Sequence, residues 1–270
     1  MSVATLLHNS VQARTLWSEL QHAAQQLSES EKVLGRLLKS VFLTSENLAE
    51  GLSVLLSGKL STEEVCAEDL RAEFVQVLSD PEVLGGVVAD LQAIRERDPA
   101  VKDLLTPFLF FKGFHALQTH RIAHRLWTTG RQAFALFLQS QMSLRFAVDI
   151  HPAAHLGQGI LMDHATGVVI GETAVVDDNV SMLHGVTLGG TGKQCCDRHP
   201  KIRSGVLIGA GATVLGNIEI GKDAKVAAGS VVLKPVHAHT TVAGVPAKVM
   251  ARNVKFTPAL EMNHEFDIHI

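Results

Sequence analysis

From Ile150 onward, aliphatic residues return every six positions. One run is Ile150, Leu156, Met162 and Val168. The phase then slips by two to Ile170, Val176, Met182 and Leu188, and after a break it resumes at Ile202, Ile208, Val214, Ile220, Val226 and Val232. Two residues before the next repeat stands another small or apolar side chain: Ala174, Val180, Val186, Val206, Ala212, Ile218, Ala224. Just before it comes a turn former, as at Asn179, Gly185, Gly205, Gly211, Asn217, Asp223 and Gly229. A period of six is neither helical nor simple strand alternation. It fits a short strand plus a tight turn, three to a triangular coil, with the aliphatic residues stacked inside. Gly and Asn at the corners supply conformations that other residues resist. The pattern predicts a left-handed parallel β-helix, an exception to the right-handed crossover rule.

The break between Leu188 and Ile202 reads Gly-Gly-Thr-Gly-Lys-Gln-Cys-Cys-Asp-Arg-His-Pro-Lys. It has turn residues and charges but no aliphatic register, so it is expected as an extruded loop, and loops on rigid scaffolds commonly carry function.

Residues 1–145 follow a different rule. Apolar residues recur at three- and four-residue spacing, as in Leu34, Leu37, Leu38, Val41 and Phe42, with Lys32, Arg36 and Lys39 off that face. Ser28 with Glu31 and Ser61 with Glu64 fit capping boxes, and Asp80-Pro81 and Asp98-Pro99 fit an N-cap followed by proline. The expectation is a bundle of six to eight helices. His120 and His124, one helical turn apart, lack the glutamate of the zinc-protease motif and a nearby third ligand. They are read as polar residues on a helix surface or subunit contact. The expected organisation is a helical assembly domain over 1–145, a β-helix domain over 146–252 and a tail over 253–270, an α + β architecture.

Composition sharpens this division. Of the 22 glycines, 7 fall in residues 1–145 and 15 in 146–270. Across 270 residues, 24 Lys+Arg stand against 27 Asp+Glu, with 46% hydrophobic and 19% charged residues. That suits a folded core and disfavours nucleic-acid partners. No apolar run approaches the roughly 18 residues of a membrane span, and the first twenty residues lack a basic-then-apolar leader. Three cysteines, Cys66, Cys195 and Cys196, are too few for a disulfide scaffold. A cytoplasmic protein without membrane attachment is expected.

The local motifs go further than the repeat. Phe111-Lys-Gly-Phe-His-Ala-Leu-Gln118, Asp149-Ile-His-Pro-Ala-Ala154, Met162-Asp-His-Ala-Thr-Gly167, Gly171-Glu-Thr-Ala174, Val186-Thr-Leu-Gly-Gly-Thr-Gly-Lys193 and Asp197-Arg-His-Pro200 resemble segments of the serine acetyltransferases, within the hexapeptide-repeat acyltransferase superfamily. The resemblance runs from about Arg97 to the C-terminus and more loosely through the helices. It implies acetyl transfer from acetyl-CoA, a co-substrate rather than a resident cofactor, to the hydroxyl of L-serine, the first step of cysteine biosynthesis. It puts the catalytic base on His164, its orienting carboxylate on Asp149, and serine contacts on Asp98, Asp163, Arg198 and His199. Acetyl-CoA contacts fall on Gly190, Thr191, Ala210, Lys225 and Ala228. It further implies feedback inhibition by L-cysteine, a homotrimer or a hexamer of paired trimers, and no metal. A C-terminal Ile270 would dock into O-acetylserine sulfhydrylase.

The residue types suit this chemistry. Histidine near neutrality takes a hydroxyl proton, and a carboxylate on its other nitrogen fixes the tautomer and stabilises the imidazolium. Direct attack on the thioester needs no covalent enzyme intermediate. An arginine matches the serine carboxylate and two aspartates match its ammonium. Spacing alone does not make Asp149 and His164 neighbours, since fifteen residues are short of an eighteen-residue coil, and Asp98 fits a helix cap as well as a ligand. Two alternatives remain at this point: a γ-type carbonic anhydrase binding zinc through His155, His164, His184 and His199, and a scaffold whose tail binds a partner. Cys195 and Cys196, inside the loop, are candidates for oxidation.

Overall fold

The computed structural model describes residues 3–192, 195–252 and 257–263. The N-terminal half holds eight α-helices among these residues: α1 (Val3–Ser30), α2 (Gly35–Leu38, one turn), α3 (Leu48–Leu60), α4 (Ala67–Leu78), α5 (Pro81–Arg97), α6 (Leu105–Phe110), α7 (Lys112–Thr128) and α8 (Gln132–Phe146). The three- and four-residue spacing selects the core. On α1 it buries Ala13, Leu16, Trp17, Leu20 and Ala24. Aromatic rings then link the helices: Trp17 stacks on Phe42 at 5.2 Å, Phe42 meets Phe108 at 5.8 Å, and Phe108 meets Phe114 at 6.2 Å.

The caps divide. Asp80 accepts the Glu82 N–H at 2.9 Å ahead of Pro81, as its sequence predicts. Ser28 instead lies inside α1, donating to the Gln25 carbonyl at 2.7 Å, because α1 continues to Ser30. Ser61 follows the end of α3, and it is Thr62 that accepts the Glu64 and Val65 amides. Asp98 ends α5 rather than starting a helix, accepting the Ala100 N–H across a turn. Asn47 caps α3 by accepting the Glu50 N–H, while the Glu50 carboxylate accepts from the Asn47 side-chain amide and the Glu46 N–H.

The second half is a left-handed β-helix of two- and three-residue strands on three faces. The first face stacks β1 (Asp149–Ile150), β4 (Val169–Ile170), β7 (Thr187–Gly189), β10 (Thr213–Leu215) and β13 (Val231–Val232). The second stacks β2 (His155–Leu156), β5 (Val175–Val176), β8 (Lys201–Ile202) and β11 (Glu219–Ile220). The third stacks β3 (Leu161–Met162), β6 (Ser181–Met182), β9 (Leu207–Ile208), β12 (Lys225–Val226) and β14 (Thr240–Ala243), closed by antiparallel β15 (Lys248–Arg252). Parallel register aligns Ile150, Ile170, Leu188, Val214 and Val232 in one interior column, each at most 2% exposed. Asn179, Gly185, Gly205, Gly211, Asp223 and Gly229 take positive φ at the corners, whereas beside Asn217 it is Gly216 that does so.

Coil length varies although the columns do not. Ile150 pairs with Ile170, twenty residues on, Ile170 with Leu188, eighteen on, and Leu188 with Val214, twenty-six on. The two-residue slip and the long break are therefore insertions at corners that leave the strand columns intact.

Buried polar groups fasten the halves together. Asp90 of α5 accepts from Nε and Nη2 of Arg121, from Gln118 and from the Ile160 amide of the β-helix, all at 2.7–2.9 Å. Arg97, at the end of α5, reaches Ser181 and Asn179, and Ser181 donates to the Ala259 carbonyl of α9 (Pro258–Glu261). No described helix is long and apolar enough to cross a membrane.

Candidate active site

The two-residue slip forms the corner between β3 and β4. His164 and Ala165 are consecutive left-handed residues, with φ of 55° and 57°, a conformation unfavourable for side chains other than glycine. Packing holds it. Ala165 is fully buried beneath α7, Lys112 donates to the Thr166 hydroxyl, and the Gly167 amide donates to the Ala147 carbonyl at 2.7 Å. Gly113 allows this approach, since a Cβ there would stand 2.1 Å from the Met162 carbonyl oxygen. With Ala165 turned inward, His164 turns outward. Its side chain is 76% exposed, with Nε2 3.9 Å from Asp163 and its ring 6.0 Å from that of His184.

Asp98 and Asp163, far apart in the chain, line one cleft of about 600 Å³ with Arg97, Leu161, Leu260 and Met262. Two carboxylates in one cleft suit a cationic ligand group. Asp149 opens β1 at the same edge of the helix, its amide bonded to the Val168 carbonyl. Within the chain its carboxylate accepts from Nε2 of Gln139 at 2.7 Å, and no hydrogen bond or ion pair joins it to His164.

Arg198 and His199 stand at a different edge, where the extruded loop returns to β8, and do not line that cleft. Thr173 organises them. Its hydroxyl oxygen accepts the Arg198 and His199 amides at 3.0 and 3.1 Å, and its own amide donates to Nδ1 of His199 at 3.2 Å. The His199 proton is thereby left on Nε2. Burial, reinforced by Arg198, keeps this imidazole below the usual histidine range, so it is a neutral donor near pH 7. Arg198 pairs with Glu172 at 2.6 Å and donates to the Cys196 carbonyl at 3.2 Å, and the first of these bonds holds the Glu172 carboxyl below its ordinary range.

Four of the five residues assigned to acetyl-CoA follow the same two edges. Ala210 and Ala228 lie below Thr166 and His184 on the His164 edge, linked by the Gly185, Gly211 and Gly229 amides. Gly190 stands beside Arg198, 3.4 Å from its Cγ for a Cβ at that position, and Thr191 faces Gly216. Lys225 lies on β12 and is 7% exposed.

Histidines fall otherwise than their spacing suggests. His120 is 2% exposed rather than at the surface, stacked on His124 at 5.7 Å, because α7 turns that face against the β-helix. His155 packs on His124 at 6.0 Å while His199 is held by Thr173, so His155, His164, His184 and His199 do not converge within the chain, and no cluster of three metal-ligating side chains occurs among the described residues. Sequence reasoning missed Gln139 and gave Glu172 and Thr173 no role, although both lie in the quoted Gly171–Ala174 segment. Ile270 lies outside the described residues.

Comparison with known proteins places the sequence and the fold. The family described as serine acetyltransferase, N-terminal, matches residues 16–119, and the bacterial transferase hexapeptide family matches residues 199–234. A serine acetyltransferase of Salmonella typhimurium is 50% identical over 253 residues, 93% of each chain. A serine acetyltransferase solved in complex with cysteine superposes with a TM-score of 0.91 at 49% identity, covering 94% of this chain and 99% of that one. The enzyme of Brucella abortus, solved with coenzyme A, gives 0.86 at 51% identity, covering 88% and 96%. These likenesses extend over most of the chain, through both the helical half and the β-helix, and the chain belongs to the serine acetyltransferase family.

Proposed function

We propose that the protein transfers the acetyl group of acetyl-CoA to the hydroxyl of L-serine, giving O-acetyl-L-serine and CoA. His164 Nε2 removes the hydroxyl proton as the serine oxygen attacks the thioester carbonyl. The tetrahedral intermediate collapses, and the imidazolium returns the proton to the departing CoA thiolate. Asp149 orients the ring and stabilises its charged form. Asp98 and Asp163 receive the serine ammonium, while Arg198 and the Nε2–H of His199 receive its carboxylate.

The observation that carries this reading is the cleft shared by Asp98 and Asp163, the latter adjacent to His164. A base that is 76% exposed is poorly placed for chemistry that profits from water exclusion. The carboxylate-binding pair also stands at another edge. Both facts support a site completed between subunits of a homotrimer, one chain supplying His164 and its neighbour Arg198 and His199. Trimers paired through the N-terminal helices make a hexamer. Acetyl-CoA then lies along the flank, against Gly190 and Thr191 from one edge and Ala210 and Ala228 from the other, with Lys225 nearby.

L-Cysteine, with a thiol in place of the hydroxyl, fits the serine subsite as a feedback inhibitor, and the cysteine complex of a relative supports this. The tail through Ile270 binds O-acetylserine sulfhydrylase in the cytoplasm, a reading that unchanged association after deletion of Ile270 would remove. The deciding assay is release of the CoA thiol. It should require L-serine and fall by about 10²–10⁴ in His164→Ala. Serine-independent release, or full activity in that variant, overturns the reading.

A further inference from the structure

We infer that Gln139 is the positioning residue for the orienting carboxylate, an inference that rests on the reaction proposed above. Gln139 belongs to the helical half and Asp149 to the β-helix, yet Nε2 of Gln139 lies 2.7 Å from Oδ1 of Asp149. Only the NH₂ end of an amide can donate to an ionised carboxylate, so the chemistry itself fixes which way Gln139 points.

The backbone that carries each partner is anchored. Leu138 and Met142, flanking Gln139 on α8, are fully buried. The chain leaves α8 through Ala147 in the left-handed conformation, buries Val148 completely and reaches Asp149 two residues later. The Ala147 carbonyl accepts the Gly167 amide, and the Asp149 amide donates to the Val168 carbonyl at 2.9 Å. The end of α8, the backbone of Asp149 and the turn that carries His164 are thus one hydrogen-bonded unit. Gln139 adds the side-chain member of that unit.

The residue type matters. A carboxylate has two oxygens, and holding Oδ1 leaves Oδ2 to face an imidazole. A lysine or arginine at this place would neutralise the charge that an imidazolium needs beside it. An amide donor fixes the rotamer while leaving the negative charge in force. It also does not titrate, so the arrangement is the same across the working pH range.

The test is a double-mutant cycle in the full-length protein, read by steady-state kinetics with both substrates varied. Gln139→Leu is expected to lower kcat by about a hundredfold, the scale on which small misplacements act, with KM for serine and acetyl-CoA unchanged. The kcat/KM pH profile is recorded beside it, and a change in its acid limb is expected, which a merely structural loss would not produce. Gln139→Glu, nearly isosteric, sets a second carboxylate against Asp149 and is expected to lose more, which keeps the test open if the leucine variant folds poorly. In an Asp149→Asn background neither substitution should matter further. Wild-type kcat in both Gln139 variants, or an undiminished loss in the Asp149→Asn background, overturns the inference. Wild-type kcat in Asp149→Asn alone overturns the dyad itself and the inference with it.

Discussion

Thr173 donates its backbone N–H to Nδ1 of His199 at 3.2 Å, which leaves the only ring proton on Nε2. Its hydroxyl oxygen gathers the amides of Arg198 and His199 as well. Thr173→Val keeps the shape and removes these side-chain bonds. The serine KM is expected to rise about tenfold, the equivalent of one or two lost hydrogen bonds, with kcat at saturation little changed. An unaltered serine KM would remove Arg198 and His199 from the serine subsite.

Histidines inside the helical half set the acid limit of the fold. His115 donates its Nε2–H to the Phe108 carbonyl at 2.8 Å, and burial lowers its pKa to about 4. His120 and His124 are lowered too, again chiefly by burial. Between about pH 6.5 and 4 the unfolded chain therefore binds protons that the folded chain refuses, so stability falls as pH drops through that window. For His115 alone the loss is about 3 kcal/mol. Thermal unfolding followed from pH 7 to pH 4.5 should show the decline, and His115→Gln should flatten it. An identical slope in that variant would discount the histidine.

Gly113→Ala is expected to destabilise the fold by about 1–3 kcal/mol, because the new Cβ meets a backbone carbonyl that cannot yield and Ala165 behind it. The same change should loosen the His164 turn. Thermal unfolding and CoA release measured together would show both effects, and a fully stable, fully active variant would show that α7 does not clamp the turn.

Cys195 and Cys196 are exposed, with sulfur atoms 3.6 Å apart, and the Cys196 carbonyl accepts from Nη1 of Arg198. Peroxide treatment is expected to raise the serine KM of the wild-type protein and to spare a variant with serine at both positions. Equal inactivation of the two proteins would place the sensitive group elsewhere.

Much of this fold is legible in the sequence. Apart from Val168, which sits just before β4, the hexad residues named from the sequence are the ones that pair in register, since a six-residue period leaves few other ways to bury them. The slip of two marked the His164 corner, and the break marked the loop. What the sequence could not convey is which edge of the prism each residue occupies. Asp98 and Asp163 converge because Arg97 pins the end of α5 to Ser181 and Asn179, a contact across more than eighty residues. Gln139 escaped notice because a glutamine on an amphipathic helix carries no local mark of its partner. Ser28 misled because a capping signal inside a long apolar repeat is overruled by packing.

The coils of twenty, eighteen and twenty-six residues share one uninterrupted interior. Changes of length are therefore absorbed at the corners, where they cost little stability, while the columns tolerate almost none. An architecture of this kind acquires new chemistry by insertion more readily than by substitution. Its evolutionary record should be written in corner lengths: a lineage can lengthen or shorten one turn, and so gain or lose a reactive side chain, without renegotiating the core.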